Sequence, residues 1–463
     1  MTEAVAQPAN ASSMPPAFLS FADQALYLAH VSLGQHAVIQ LLWRYLRPVD
    51  IDALTGFRDN LAHGHLARLI RPALLPFGRH QWASAPPPSA ALVAAGAPLA
   101  PEAMQAWADA QVALPLDPVR GPAWTLTIQS FTDGSTVVSL VVSHCIADGL
   151  TTAIAVSEAV RGERRPAVYP VWSGWSARRA AATLGAELLR VVRDAPATLR
   201  ALAQLVRTAC SARAAYNKPA VPPPIMTVAD GRTVVFPSAF IRVPTSVWDA
   251  RAQSLGANRL TLLAAVTAAF AEALGRVRDD DVTLLIPVNQ RMGRSRTGGN
   301  SVALATFKVH VDEPRVGLNA LQRRLRVALL RTRRERNRLA TLLPLVPFVP
   351  RRVFSGASHL ALDALGDLPV TCSSVGDLPS DMIQIDGGAA DRFCFRGIDR
   401  PVARRAIEAR QGVATLFSGV IPGFVALTFV CYQPGVVTEP RHLRALAEQL
   451  LADYEISGEF FDA

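Results

Sequence analysis

Residues 137–149 read VVSLVVSHCIADG. An apolar, β-branched run (Val137, Val138, Leu140, Val141, Val142) delivers His144, and Asp148 and Gly149 follow four and five residues later. The pattern is HxxxDG at the exit of a strand. Histidine titrates near neutrality, so it can take a proton from a hydroxyl and return it. Asp148 cannot reach the imidazole from the same straight strand. It can do so indirectly if the chain turns sharply at Gly149, or it can brace the loop through an arginine. The bland alternative is a histidine capping a strand beside an Asp-Gly turn.

Upstream, residues 124–131 form a second strand signal, and Asp133-Gly134 is a good turn between the two. The expected unit is a hairpin that ends in His144, with a helix over residues 151–161. Helices are also expected over residues 21–30 and 50–70, and a strand over 37–46. In the second half, strands are expected over residues 233–243, 282–287 and 301–311, with a helix over 260–274.

The 463 residues suggest two or three domains. A hydrophobic fraction of 50% and a mean hydropathy of +0.22 are ample for large cores. The formal charge is +10, carried almost wholly by arginine, with lysine only at Lys218 and Lys308. Such a chain could favour anionic lipid, a phosphorylated carrier or nucleic acid. No aromatic-basic segment or recognition motif supports nucleic acid, which is excluded from the expected partners. Five cysteines (Cys145, Cys210, Cys372, Cys394, Cys431) lack metal-ligand spacing and read as reduced, mostly buried thiols of a cytoplasmic protein. No metal is expected. Cys145 adjoins His144, but neighbours on a strand face opposite sides, which disfavours a Cys/His nucleophile pair. No GxSxG elbow, HExxH helix or P-loop occurs.

Residues 1–17 lack a basic start and an apolar run, and are expected to be a disordered tail, not a signal peptide. Residues 413–432, VATLFSGVIPGFVALTFVCY, have the length of a membrane span. Pro422-Gly423 at the centre favours two buried strands joined by a tight turn. Residues 162–224 change composition: Trp172 and Trp175 precede an Ala/Leu/Arg pattern with seven arginines (Arg178, Arg179, Arg190, Arg193, Arg200, Arg207, Arg213) against Glu187 and Asp194. Two readings stay open: a solvated helix packed across two domains, or a basic amphipathic helix on an anionic membrane. A second arginine-rich stretch, residues 321–352, faces phosphate, membrane or solvent.

At this point the chain resembles the HHxxxDG acyltransferases of the condensation-domain superfamily, and most of all their bacterial wax ester synthase/diacylglycerol acyltransferase branch. The resemblance rests on LSFADQALYLAHVSLGQHAVIQLLWRYLRPVDIDALTGF near the N-terminus and on LPLDPVRGPAWTLTIQSFTDGSTVVSLVVSHCIADG. It extends to LLIPVNQRMGRSRTGGNSVALATFKVHVD and TCSSVGDLP in that order. It implies an α/β architecture of two chloramphenicol-acetyltransferase-like lobes with a tunnel between them. The lobes would span residues 18–161 and 225–463, joined by a basic, largely helical linker over 162–224. It further implies that His144 is the general base on an acceptor hydroxyl that attacks an acyl thioester directly. Asp148, Gly149 and Arg291 would support the site, through an Asp148–Arg291 ion pair. Ser143, Asn300 and Ser373 are tunnel-lining candidates. Two positions depart from the family pattern: Ser143 replaces its first histidine, and serine stands at 373–374 where the family has asparagine.

The expected function is transfer of a fatty acyl group from acyl-CoA to a lipid alcohol, giving wax ester or triacylglycerol, with acyl-CoA as substrate and no cofactor. The alternative is a condensation-type or polyketide-associated acyltransferase that uses a carrier-protein thioester. A non-catalytic lipid-binding member of the fold is the third reading. A cytoplasmic protein is expected, with peripheral contact to an anionic membrane left as a hypothesis.

Overall fold

The computed structural model describes residues 17–33, 36–85, 92–94, 96–165, 169–170, 177–215, 233–290, 299–312, 317–334, 341–349 and 368–461. In chain order the first half contains α1 (Phe21–Leu33), β1 (Ala37–Tyr45), α2 (Ile51–Leu61), β2 (Arg68–Arg71), β3 (Gln81–Ser84) and β4 (Leu92–Ala94). Then come α3 (Met104–Val112), β5 (Trp124–Ser130), β6 (Thr136–Ser143), α4 (Gly149–Val160) and α5 (Ala177–Ala215). The second half continues with β7 (Thr233–Val234), β8 (Ser238–Pro244), α6 (Thr245–Ser254), α7 (Arg259–Ala273), β9 (Asp281–Asn289), β10 (Val302–His310) and α8 (Asn319–Arg334). It closes with β11 (Val370–Asp377), β12 (Arg392–Asp399), β13 (Val402–Ala403), α9 (Arg404–Glu408), β14 (Val413–Ile421), β15 (Phe424–Tyr432), α10 (Pro440–Asp453) and β16 (Glu459–Phe460).

Two sheets organise the molecule. The first has the order β12-β1-β6-β5-β4 and the second β10-β9-β11-β14-β15-β8-β16. The β5–β6 hairpin forms as its turn residues dictate, in the register Ser130↔Thr136 to Trp124↔Val142. The span-like stretch is the β14–β15 hairpin, closed at Ile421↔Phe424. Gly423 there has φ +93, a left-handed conformation that glycine adopts without penalty. β15 is buried at every position, which explains its continuous hydrophobicity. Among the described residues no single helix is long and apolar enough to cross a membrane.

α7 is apolar all round (RLTLLAAVTAAFAEA) and ten of its residues are buried in the second lobe's core, with Asn258 as N-cap on the Thr261 N–H at 2.9 Å. The expected helix over 50–70 stops at Leu61. A turn at residues 62–66 follows, and residues 68–71 pair with β3 instead. Tertiary pairing there outweighs helix propensity. The expected 233–243 strand is divided into β7 and β8, with Pro237, which has no N–H to donate, between them.

β12 lies far along the sequence, yet it pairs with β1 in the first sheet, from Ala37↔Asp399 to Arg44↔Arg392. This crossing strand ties the lobes. From it, buried Arg396 donates to Gln40 of β1 (2.8 Å) and Ser238 of β8 (2.7 Å), and pairs with Asp109 of α3 at 2.7 Å. Thr428 of β15 donates its hydroxyl to the Phe395 carbonyl at 2.7 Å. A buried cation with this many partners is costly to break on either side.

Candidate active site

His144 is the first residue beyond β6. Its N–H donates to the Ala37 carbonyl at 2.9 Å, which seats it opposite Ala37. Its carbonyl accepts from Asn300 Nδ2 at 3.1 Å. The backbone is thus held from both lobes while the ring is half-buried. Its Nδ1 is buried without a hydrogen-bond partner among the described residues.

Asp148 does not pair with the imidazole; it caps α4. Its carboxylate accepts from the Thr151 N–H (2.8 Å) and from the Ser301 N–H (3.2 Å), and its own N–H donates to the Gly299 carbonyl at 3.2 Å. The motif loop is therefore stapled to the segment that follows residue 298. Arg291, its expected partner, lies outside the described residues. The turn comes at residues 144–146, ahead of Gly149, which is the first residue of α4. A Cβ at Gly149 would come within 3.2 Å of Val375, so this glycine lets β11 of the second lobe approach.

Asn300 is a brace. Its Nδ2 donates to the His144 carbonyl and to Asp23 Oδ1 (3.0 Å), and its N–H also donates to Asp23 Oδ1 (2.8 Å). Both amide hydrogens are engaged, so it orients the His144 loop instead of offering a donor to an oxyanion. Ser143 is buried on the sheet face opposite His144, the face that also carries the Cys145 thiol. Burial pushes that thiol up to about 12, which keeps it protonated. Cys145, Cys372 and Cys431 are free thiols and, like Cys394, are buried, as expected. Ser373 of β11 is half-buried, in register with Phe417 and on the same strand face as Val375.

Two residues escaped the sequence reading. Asp23 is fully buried on α1, where it also accepts from the Ser20 hydroxyl at 2.8 Å. Ser20-x-x-Asp23 looks like an ordinary helix start, which hides its second task of holding Asn300. Asp399 ends β12 opposite Ala37, on the face that carries His144. The strand between them bears only a methyl group, so a slot about 10 Å wide separates their backbones. Burial pushes the Asp399 carboxyl up from its ordinary value, while Arg410 and His144 pull it down. Nothing local in RFCFRGID signals this placement.

The same sheet face continues into a small apolar cavity of about 20 Å³ between the lobes. Ile39 and Leu41 of β1, Gly149 and Ala153 of α4, Val375 of β11 and Phe395 of β12 line it. On the far side of β1, His30 and His36 meet edge to face at 4.2 Å, next to Arg400. Burial, then His36 and Arg400, lowers His30 to about 4, against the opposing pull of Asp117. Among the described residues no group of His, Cys, Asp and Glu could hold a metal.

No family model and no curated protein matches the sequence. Solved structures do. The first condensation domain of the calcium-dependent antibiotic synthetase, in complex with a substrate analogue, has 18% identity, a TM-score of 0.59 and coverage of 96% of both chains. Polyketide synthase associated protein 5 from Mycobacterium tuberculosis has 15% identity, a TM-score of 0.51 and coverage of 95% of this chain and 99% of that one. A mutant starter condensation domain of rhizomide synthetase RzmA, in a product-released conformation, has 14% identity, a TM-score of 0.51 and coverage of 95% and 94%. The fold is therefore the two-lobed, chloramphenicol-acetyltransferase-like fold of condensation domains.

Proposed function

We propose that this chain is a condensation-type acyltransferase that moves an acyl group from a carrier-protein thioester to a hydroxyl or amine acceptor. The observation that carries the reading is the position of His144. Its backbone is fixed from both lobes, its Nδ1 has no partner among the described residues, and its side chain shares a sheet face with the inter-lobe cavity. His144 takes the proton of the acceptor as the acceptor oxygen or nitrogen bonds to the thioester carbonyl carbon. The carbon–sulfur bond then breaks, and the departing thiolate receives that proton from the imidazolium. A positioned base of this kind contributes on the order of 10²–10⁴ in rate. Transfer is direct, because the neighbouring Cys145 thiol is buried, protonated and on the opposite face. Asp399, across the Ala37 slot, stabilises the imidazolium as it forms. The acyl chain enters by widening the small apolar cavity from Ile39 to Phe395.

The donor is chosen on the fold likeness. The similar structures are condensation domains and a polyketide-synthase-associated protein, which favours the carrier thioester over acyl-CoA with a lipid alcohol. The test supplies acyl groups as pantetheinyl carrier protein and as CoA, with a panel of alcohols and amines, and detects products by mass spectrometry. Carrier-dependent product that vanishes in folded His144→Ala is expected. Turnover from CoA alone would restore the lipid-alcohol reading. No turnover from either donor, equal in wild type and variant, would leave the fold as a binding scaffold.

A further inference from the structure

α5 carries an exposed surface that, among the described residues, neither the fold nor the site uses. At about 100° per residue most of its described side chains sort into three arcs, with exposed Leu189 among the arginines and exposed Leu205 at the edge of the packed arc. Thr183, Glu187, Asp194 and Ala201 fall within one arc of about 40°, which packs on the protein. There Glu187 accepts from the N–H groups of Leu74 (3.1 Å) and Leu75 (2.9 Å), and Asp194 pairs with Arg79 at 2.9 Å and Arg190 at 3.1 Å. Leu184, Leu188, Val192, Leu199, Leu202 and Val206 fall within a second arc of about 80° and are all exposed, Val192 at 68% and Leu199 at 65%. Arg178, Arg193 and Arg200 fall within a third, beside the apolar one, and are exposed as well. Both acids of the helix are turned inward and occupied, so no carboxylate of α5 faces the arginine row.

The geometry points to α5 as a membrane-surface helix that lays its Leu/Val strip into the headgroup boundary of an anionic bilayer. The strip runs from Leu184 to Val206, about 33 Å at 1.5 Å per residue, and keeps to one side of α5 on either side of Pro196. It is wholly aliphatic, without the aromatic residues that enrich protein–protein interfaces. The arginines stand alongside it, where long side chains reach lipid phosphates while their stems stay on the apolar surface. A second copy of the chain would bring one arginine row against another. This inference does not depend on the acyl-transfer reading.

The test is co-sedimentation of the full chain with vesicles of phosphatidylcholine alone and of phosphatidylcholine mixed equally with phosphatidylglycerol, at low salt. Wild type is expected to pellet with the anionic vesicles only. Replacing Arg178, Arg193 and Arg200 by Gln together should weaken partitioning on the order of 100-fold, about fivefold per arginine. Replacing Leu188, Val192 and Leu199 by Ser together should abolish it. These side chains are exposed, and circular dichroism verifies that both variants remain folded. Absence of pelleting by wild type overturns the inference, as does unchanged pelleting of both variants. A dimer in sedimentation velocity that the serine variant dissolves would assign the strip to a second copy instead.

Discussion

Removing the Asp148 carboxylate should loosen the motif loop before it touches chemistry. The side chain is 4% exposed and accepts from two backbone N–H groups on opposite lobes, Thr151 at 2.8 Å and Ser301 at 3.2 Å. Asp148→Ala loses the helix cap, about 1 kcal/mol. It also strands the Ser301 amide from a charged acceptor, about 1–2 kcal/mol more. The expected cost is thus about 2–3 kcal/mol from these described partners. Asp148→Asn keeps an acceptor for Thr151 but sets an amide donor against the Ser301 N–H, costing about 1–2 kcal/mol. Urea unfolding should therefore rank wild type above Asn above Ala. Amide hydrogen exchange should show lost protection at Thr151 and Ser301 in Ala, and at Ser301 alone in Asn. Acyl transfer should fall in step with the folded, protected fraction. If Asp148→Ala instead unfolds like wild type, with both amides protected but activity gone, the staple is the wrong account and Asp148 acts on the reacting atoms.

Three further outcomes follow from the site. Asp399 lies about 10 Å from the His144 backbone, so at an effective dielectric of about 20 its charge is worth about 1–2 kcal/mol to the imidazolium, roughly tenfold in rate. Because its folded carboxyl is raised by burial, the stability it contributes is lost as pH rises through its folded pKa. Asp399→Asn should thus slow transfer roughly tenfold without lowering the melting temperature at neutral pH; an unchanged rate removes Asp399 from the mechanism. His30, lowered from 6.5 to about 4, is neutral in the fold while the unfolded chain takes up a proton. Stability should fall as pH drops from 6.5 towards 4, by about 1–2 kcal/mol after allowance for its partial exposure. His30→Gln should flatten that slope in urea titrations, and an equally steep slope would refute it. Ala153→Phe fills the cavity wall at an overpacking cost of about 1–3 kcal/mol and should shift donor preference to shorter acyl chains. An unaltered chain-length profile in the folded variant would take the acyl path out of this cavity.

Where a signal is local, the chain announces its structure. Alternating β-branched residues and Asp133-Gly134 write the β5–β6 hairpin and the emergence of His144 from it. Pro422-Gly423 converts a span-like run into the β14–β15 hairpin. Asp148 reads directly as a helix cap once α4 is recognised. In each case the residues that decide the outcome are neighbours, so propensity and turn chemistry suffice.

What the sequence could not display are the partnerships made by folding. Strand β12 inserts beside β1, with the bonded pair Gln40 and Arg396 lying 356 residues apart, and brings Asp399 across from His144. Asp23, dressed as a helix start, reaches Asn300, and Asn300 in turn holds the His144 carbonyl. The faces of α5 separate into buried, apolar and basic only because Glu187 and Asp194 find their partners on the first lobe. Pairing across such distances carries no periodic or compositional mark, since a strand or helix is equally regular whichever neighbour it acquires. The sequence alone determined the local elements and the histidine; tertiary structure decided what surrounds that histidine, because burial and register exist only once the lobes have closed on one another.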